Sequence, residues 1–81
     1  MTIDVTVRFF AQLRTAVGTS ETNVTLPAGS SVRNLADVLE GRYEGLTLRG
    51  SMCAVNEAYA EPDATLEGGE TVAFLPPVSG G

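Results

Sequence analysis

The chemistry of this chain concentrates at its end. Pro76-Pro77-Val78-Ser79-Gly80-Gly81 sets two glycines beside the terminal carboxylate, just after a segment, Thr71 to Leu75, that reads as a strand. Proline fixes its own φ and keeps the residue before it extended, so the diproline holds the backbone straight and stiff. Six residues at roughly 3.3 Å each reach about 20 Å from the strand. Without Cβ atoms at its last two positions the tail is narrow, which suits insertion into another protein's active site. The handle is the α-carboxylate of Gly81, which becomes an electrophile only after activation. A terminal Gly-Gly alone reads as a frayed end; the diproline and the strand before it favour the inserted tail.

Side chains elsewhere offer little catalytic chemistry. The sequence has no histidine, no tryptophan and one cysteine, and its five basic residues are all arginine. Imidazole bases, Ser-His and Cys-His pairs, lysine Schiff bases and the Walker A lysine are therefore excluded. One cysteine without histidine forms neither a tetrahedral zinc site nor an internal disulfide. The carboxylates are scattered along the chain, so no metal site is expected. Cys53 lies in the apolar run Met52-Cys53-Ala54-Val55 with no basic neighbour, and reads as a packed strand cysteine rather than a sulfur relay.

Size and charge narrow the partners. Eighty-one residues, 43% of them hydrophobic, make one small globular domain. A net charge of -5 argues against nucleic acid and against an anionic membrane surface. No basic, apolar leader opens the sequence, and the longest apolar run, Val72 to Val78, is too short to cross a bilayer. A cytoplasmic location is the expectation.

The elements that position the tail follow from periodicity. Ile3, Val5, Val7 and Phe9 alternate with polar residues and predict a half-buried strand. Phe10, Leu13, Arg14 and Val17 then follow a helical period, which Gly18 ends. Thr19 to Leu26 predicts a second strand. Ser31 is placed to cap a longer helix carrying Val32, Leu35, Ala36 and Leu39 on one stripe, with Gly41 as its expected end. Met52 to Val55, the turn Asn56-Glu57 and Ala58 to Ala60 predict a hairpin. Tyr43 to Gly50 reads as irregular. Thr71 to Leu75 is the last strand, with Val72 and Phe74 inward, and proline cannot extend its ladder. Residues 1–75 then form the domain and 76–81 the tail. This order predicts an α+β fold, a mixed sheet with helices packed on one face, and it resembles the ubiquitin-like β-grasp.

Specific motifs carry a closer resemblance. The end, Glu70-Thr-Val-Ala-Phe-Leu-Pro-Pro-Val-Ser-Gly-Gly81, resembles that of the small, sulfur-carrying subunit of molybdopterin synthase. The opening Val7-Arg-Phe-Phe-Ala-Gln-Leu-Arg14 with Val17-Gly18, and Ala54-Val-Asn56 before a turn, are similar to the same family. The resemblance covers essentially the whole chain. It implies that a ubiquitin-activating-like adenylyltransferase consumes ATP to adenylate Gly81, and that a sulfur donor protein then converts it to a thiocarboxylate. It further implies that the tail enters the large synthase subunit, in a heterotetramer, and gives sulfur to precursor Z in molybdenum cofactor biosynthesis. The resemblance also implies a carrier that binds no cofactor of its own and is not an enzyme alone. Gly-Gly by itself also fits the thiazole-pathway sulfur carrier and ubiquitin-like modifiers, and a non-covalent β-grasp binding module with an inert tail is the alternative of another class.

Three residues are candidates for partner contact. Phe9 and Phe10 are adjacent, so an extended backbone sends them to opposite sides. One belongs to the core; Phe10 either packs there too or forms an exposed apolar patch with Leu75. Leu75 stands where some members of the family have a second aromatic. Arg14 either pairs with an acidic partner, as the resemblance implies, or is solvated. The lack of lysine either avoids acylation by the chain's own activated end or reflects a preference for arginine.

Overall fold

A computed structural model describes residues 1–48 and 50–76. Its elements are β1 (Thr2–Phe9), α1 (Ala11–Val17), β2 (Glu21–Pro27), α2 (Val32–Arg42), β3 (Met52–Val55), β4 (Ala58–Tyr59) and β5 (Thr71–Leu75). The five strands form one sheet in the order β2-β1-β5-β3-β4. β1 and β5 run parallel at its centre, and the other neighbours are antiparallel. The expected mixed sheet is present.

The core lies between one sheet face and the helices. Alternation sends Val5, Val7 and Phe9 of β1 inward with Val24, Leu26, Val72 and Phe74, against Leu13 of α1 and Val32, Leu35 and Leu39 of α2. α2 begins as its sequence predicts. The Ser31 hydroxyl accepts from the Asn34 N–H at 3.2 Å, and the Asn34 side chain accepts from the Ser31 N–H at 2.9 Å. This reciprocal pair satisfies two donors that a helix start leaves open.

Five boundaries differ from the periodic reading. Phe10 is not helical: it is the N-cap of α1, with extended φ −123° and ψ 152°. β2 runs Glu21–Pro27 rather than Thr19 to Leu26, and the Phe9 N–H to the Ser20 carbonyl at 2.9 Å carries its pairing with β1 one residue beyond the strand's start. α2 continues through Gly41 to Arg42. Tyr43 closes it, donating its N–H to the Leu39 carbonyl, while its ring meets Phe9 edge-on at 6.1 Å. The returning strand β4 stops at Tyr59.

Loops then fix the start of β5. Asn56 and Glu57 carry φ of 50° and 72°, the positive pair of a tight hairpin turn. Asn56 binds Thr71 twice, through its N–H to the Thr71 carbonyl and through Oδ1 from the Thr71 N–H. On the other side, the Glu70 carboxylate accepts from the N–H groups of Glu67 at 2.7 Å and Gly68 at 2.6 Å. Gly68 takes φ of 109° close to Ile3, where a Cβ would stand 3.3 Å from that side chain. The start of β5 is thereby pinned from both neighbours.

Candidate functional site

The outer sheet face near the end of β5 carries the candidate site. Phe9 pairs with Phe74 in the parallel ladder, and both side chains are core. One step further, the extended backbone turns Phe10 and Leu75 to the opposite face. Met52 stands opposite Leu75 in the antiparallel ladder, so Phe10, Leu75 and Met52 form one apolar row. The row behind runs Arg8, Ala73, Ala54 and Tyr59, each paired with the next. Two alanines thus floor a shallow surface between larger side chains.

Exposure marks this surface as unusual. Phe10 is 39% exposed, Met52 40% and Tyr59 75%, and only two further large hydrophobics among the described residues, Met1 and Val38, reach this class. Single exposed hydrophobics are ordinary, but a contiguous group beside a polar rim marks a contact surface. The rim includes Arg8, whose guanidinium lies 5.6 Å from the Phe10 ring centre and 3.9 Å from the Glu21 carboxylate. The charge thus lies over the ring, a favourable cation–π arrangement.

The structure places Phe10 and Leu75 on the same face, each one residue past the Phe9–Phe74 pair, and sets Met52, Tyr59, Ala54 and Ala73, which sequence reasoning passed over, on that face too. Alternation from Cys53 was the available signal for Met52. Tyr59 required the β3–β4 register. Arg14 is exposed on α1, outside the two rows, and the one ion pair among the described residues is Arg8–Glu21. Pro76 is half-buried directly after Leu75. Pro77, Val78, Ser79, Gly80 and Gly81 lie outside the described residues.

No side chain on this face is an acid, base or nucleophile suited to catalysis. Cys53 projects to the core side, paired opposite Phe74, and burial pushes its thiol up to about 11. At neutral pH it is a thiol rather than a thiolate. Among the described residues no three acidic or cysteine side chains gather as a metal site, and no helix is long and apolar enough to cross a membrane. The arrangement is therefore an apolar patch on the outer sheet face, beside the end of β5.

A mixed five-stranded sheet with a capped helix across its core face, and an apolar patch where the last strand ends, defines a ubiquitin-like β-grasp protein. The chain belongs to the ThiS family, whose model matches residues 7–81. It is similar to the molybdopterin synthase sulfur carrier subunit of Escherichia coli (strain K12), 37% identical over 78 residues, which cover 93% of this chain and 96% of that protein. Among solved structures, the Haloferax volcanii HVO 2177 protein superposes with a TM-score of 0.87 at 28% identity, covering 99% of this chain and 88% of the other. A chain from the complex of subunits 1 and 2 of molybdopterin-converting factor of Helicobacter pylori 26695 matches with a TM-score of 0.63 at 28% identity, over 98% of this chain and all of that one.

Proposed function

We propose that this chain is the sulfur carrier subunit of a molybdopterin synthase, acting through the carboxylate of Gly81. The observation that carries the proposal is the pairing of an exposed apolar face, Phe10 with Leu75 and Met52, with the root of a Pro-Pro-Val-Ser-Gly-Gly end. A carrier must be held while its terminus works at a distance inside a partner. The face supplies the hold and residues 76–81 supply the reach.

The chemistry follows from the terminal group. A carboxylate oxygen of Gly81 attacks the α-phosphorus of ATP in an adenylyltransferase, releasing pyrophosphate and leaving an acyl adenylate. The outer sulfur of a persulfide on a donor protein then displaces AMP at the carbonyl carbon, giving an acyl disulfide. A second thiol attacks the donor's sulfur, breaking the S–S bond to leave the thiocarboxylate and a disulfide. Its sulfur is a soft nucleophile and attacks precursor Z within the large subunit. Every catalytic group in this sequence belongs to the partners, so the carrier is not an enzyme alone and holds no cofactor. Pro76, Pro77, Val78, Ser79 and Gly80 thread the partner's channel, while Phe10, Leu75 and Arg14 meet its surface. A heterotetramer with the large subunit and a cytoplasmic location go with this reading.

Intact-mass measurement after incubation with ATP, the adenylyltransferase and a sulfur donor tests it. Exchange of one carboxylate oxygen for sulfur is the expected result. An unchanged mass would leave a non-covalent β-grasp module in its place. Capture of the large synthase subunit from purified components separates this carrier from a thiazole-pathway carrier or a ubiquitin-like modifier.

A further inference from the structure

Resting on the carrier reading, we infer that this chain is built so that its own activated terminus finds no side chain or amine to acylate, and is discharged only by a partner. Activation creates a hazard, because any nucleophile on the same molecule is held near the acyl carbon. Intramolecular placement can raise such a reaction by many orders of magnitude over its bimolecular counterpart.

Three observations remove the nucleophiles. All five basic residues are arginine, Arg8, Arg14, Arg33, Arg42 and Arg49, and there is no histidine. Guanidinium stays protonated at any working pH and is a poor acyl acceptor. Cys53, on the strand next to β5, turns its sulfur into the core. Burial raises that thiol to about 11, so little thiolate forms near neutrality. Hydroxyl groups remain, and these are weak nucleophiles without an adjacent base.

Strand direction disposes of an amine at Met1. β1 and β5 are parallel, with Phe9 level with Phe74, so Met1 and the root of the tail are at opposite ends of the sheet. From the level of Leu75 back to Met1 is nine strand steps, about 30 Å at roughly 3.3 Å each. The six residues from Pro76 to Gly81 span at most about 20 Å. The tail falls short even when fully extended.

Position 8 offers the opposite case. Arg8 is exposed on the outer face and pairs with Ala73, two residues before Leu75. The four residues after the diproline, two of them glycine, can turn back, and a length of roughly 3.3 Å per residue then brings a lysine amine there within reach. It would attack the Gly81 carbonyl, forming the amide C–N bond, breaking the bond to the leaving group and releasing that group with the amine's proton.

A C-terminal thioester of the full chain, prepared chemically, tests this without any activating enzyme. Its result is therefore independent of whether the adenylyltransferase recognises the chain. At dilute protein concentration in mildly alkaline buffer, the native thioester should only hydrolyse to the free acid. Arg8→Lys should consume the thioester roughly tenfold faster, giving a monomer lighter than the free acid by one water. Ala28→Lys, whose backbone N–H bonds the Met1 carbonyl at the far end, should behave as the native chain does. Met52→Lys gives a second near position should Arg8→Lys lose its circular-dichroism spectrum. A water-loss monomer from the native chain, its equal formation by Ala28→Lys, or plain hydrolysis by a folded near-position lysine would each overturn the inference.

Discussion

Phe9 stands level with Phe74 in the parallel ladder between the first and last strands, and both rings are buried in the core. This pairing decides where the next residues go. Phe10 and Leu75 emerge together on the opposite face, one leading into α1 and the other into Pro76. A core pairing thereby sets an apolar patch on the outer face where β5 ends. Core and patch share a single register.

Phe10→Ala should weaken binding to the large synthase subunit while leaving the domain folded. Loss of a desolvated aromatic anchor costs on the order of 2 kcal/mol or more. Phe10 lies on the outer face and is 39% exposed, so the melting temperature should change little. Titration calorimetry beside a melting curve checks both. Unchanged affinity would remove Phe10 from the interface, and unfolding would assign it to the core.

Leu35→Ala should act in the opposite way. Leu35 is fully buried on α2 and belongs to the central cluster. Truncation of such a leucine costs about 2–5 kcal/mol, depending on how far the cavity collapses. In a domain of this size that is a large part of total stability. Chemical denaturation should show an earlier midpoint with an unchanged slope.

Much of this fold was legible because its elements are periodic. Alternation in β1 and β5 and the stripe on α2 each placed core residues correctly. Leu46, Leu48 and Leu66 were not legible, since they are buried from segments with no period at all. Individual hydrogen bonds hold two of them: the Leu48 N–H to the Glu40 carboxylate at 2.6 Å, and the Leu66 N–H to the Ser30 carbonyl at 2.8 Å. Such long-range bonds leave no trace in local spacing. Gly41 misled for a related reason, because the contact of Tyr43 with Phe9 goes with one more helical residue than the glycine suggested. On the docking face, Phe10 and Leu75 followed from alternation near the chain's ends. Tyr59 needed the pairing of β4 with β3, which local sequence does not contain.

Stability should depend on Glu70 in the acid range. Partial burial alone would raise its pKa, but the N–H groups of Glu67, Gly68 and Glu70 itself outweigh that and leave the carboxyl below its ordinary value. A depressed folded pKa means stabilisation that is present above the unfolded value, about 4.3, and is lost as pH falls through the folded one. Glu70→Gln should therefore lower the melting temperature at neutral pH, and the difference from the native chain should close as the solution is acidified. A difference that stays constant down to the lowest pH would show that the carboxylate's charge plays no part.

Sulfur transfer by the proposed carrier requires a free α-carboxylate at one fixed distance from the domain. Adding one residue after Gly81, or deleting Gly81, shifts that group by roughly 3.3 Å. Misplacement by about 1 Å can already cost on the order of a hundredfold in rate. The measurement is product formation from precursor Z with the reconstituted synthase, activating enzyme and sulfur donor, beside a melting curve. Loss of sulfur transfer with an unchanged melting temperature is the predicted result. Full activity from the chain extended beyond Gly81 would contradict it.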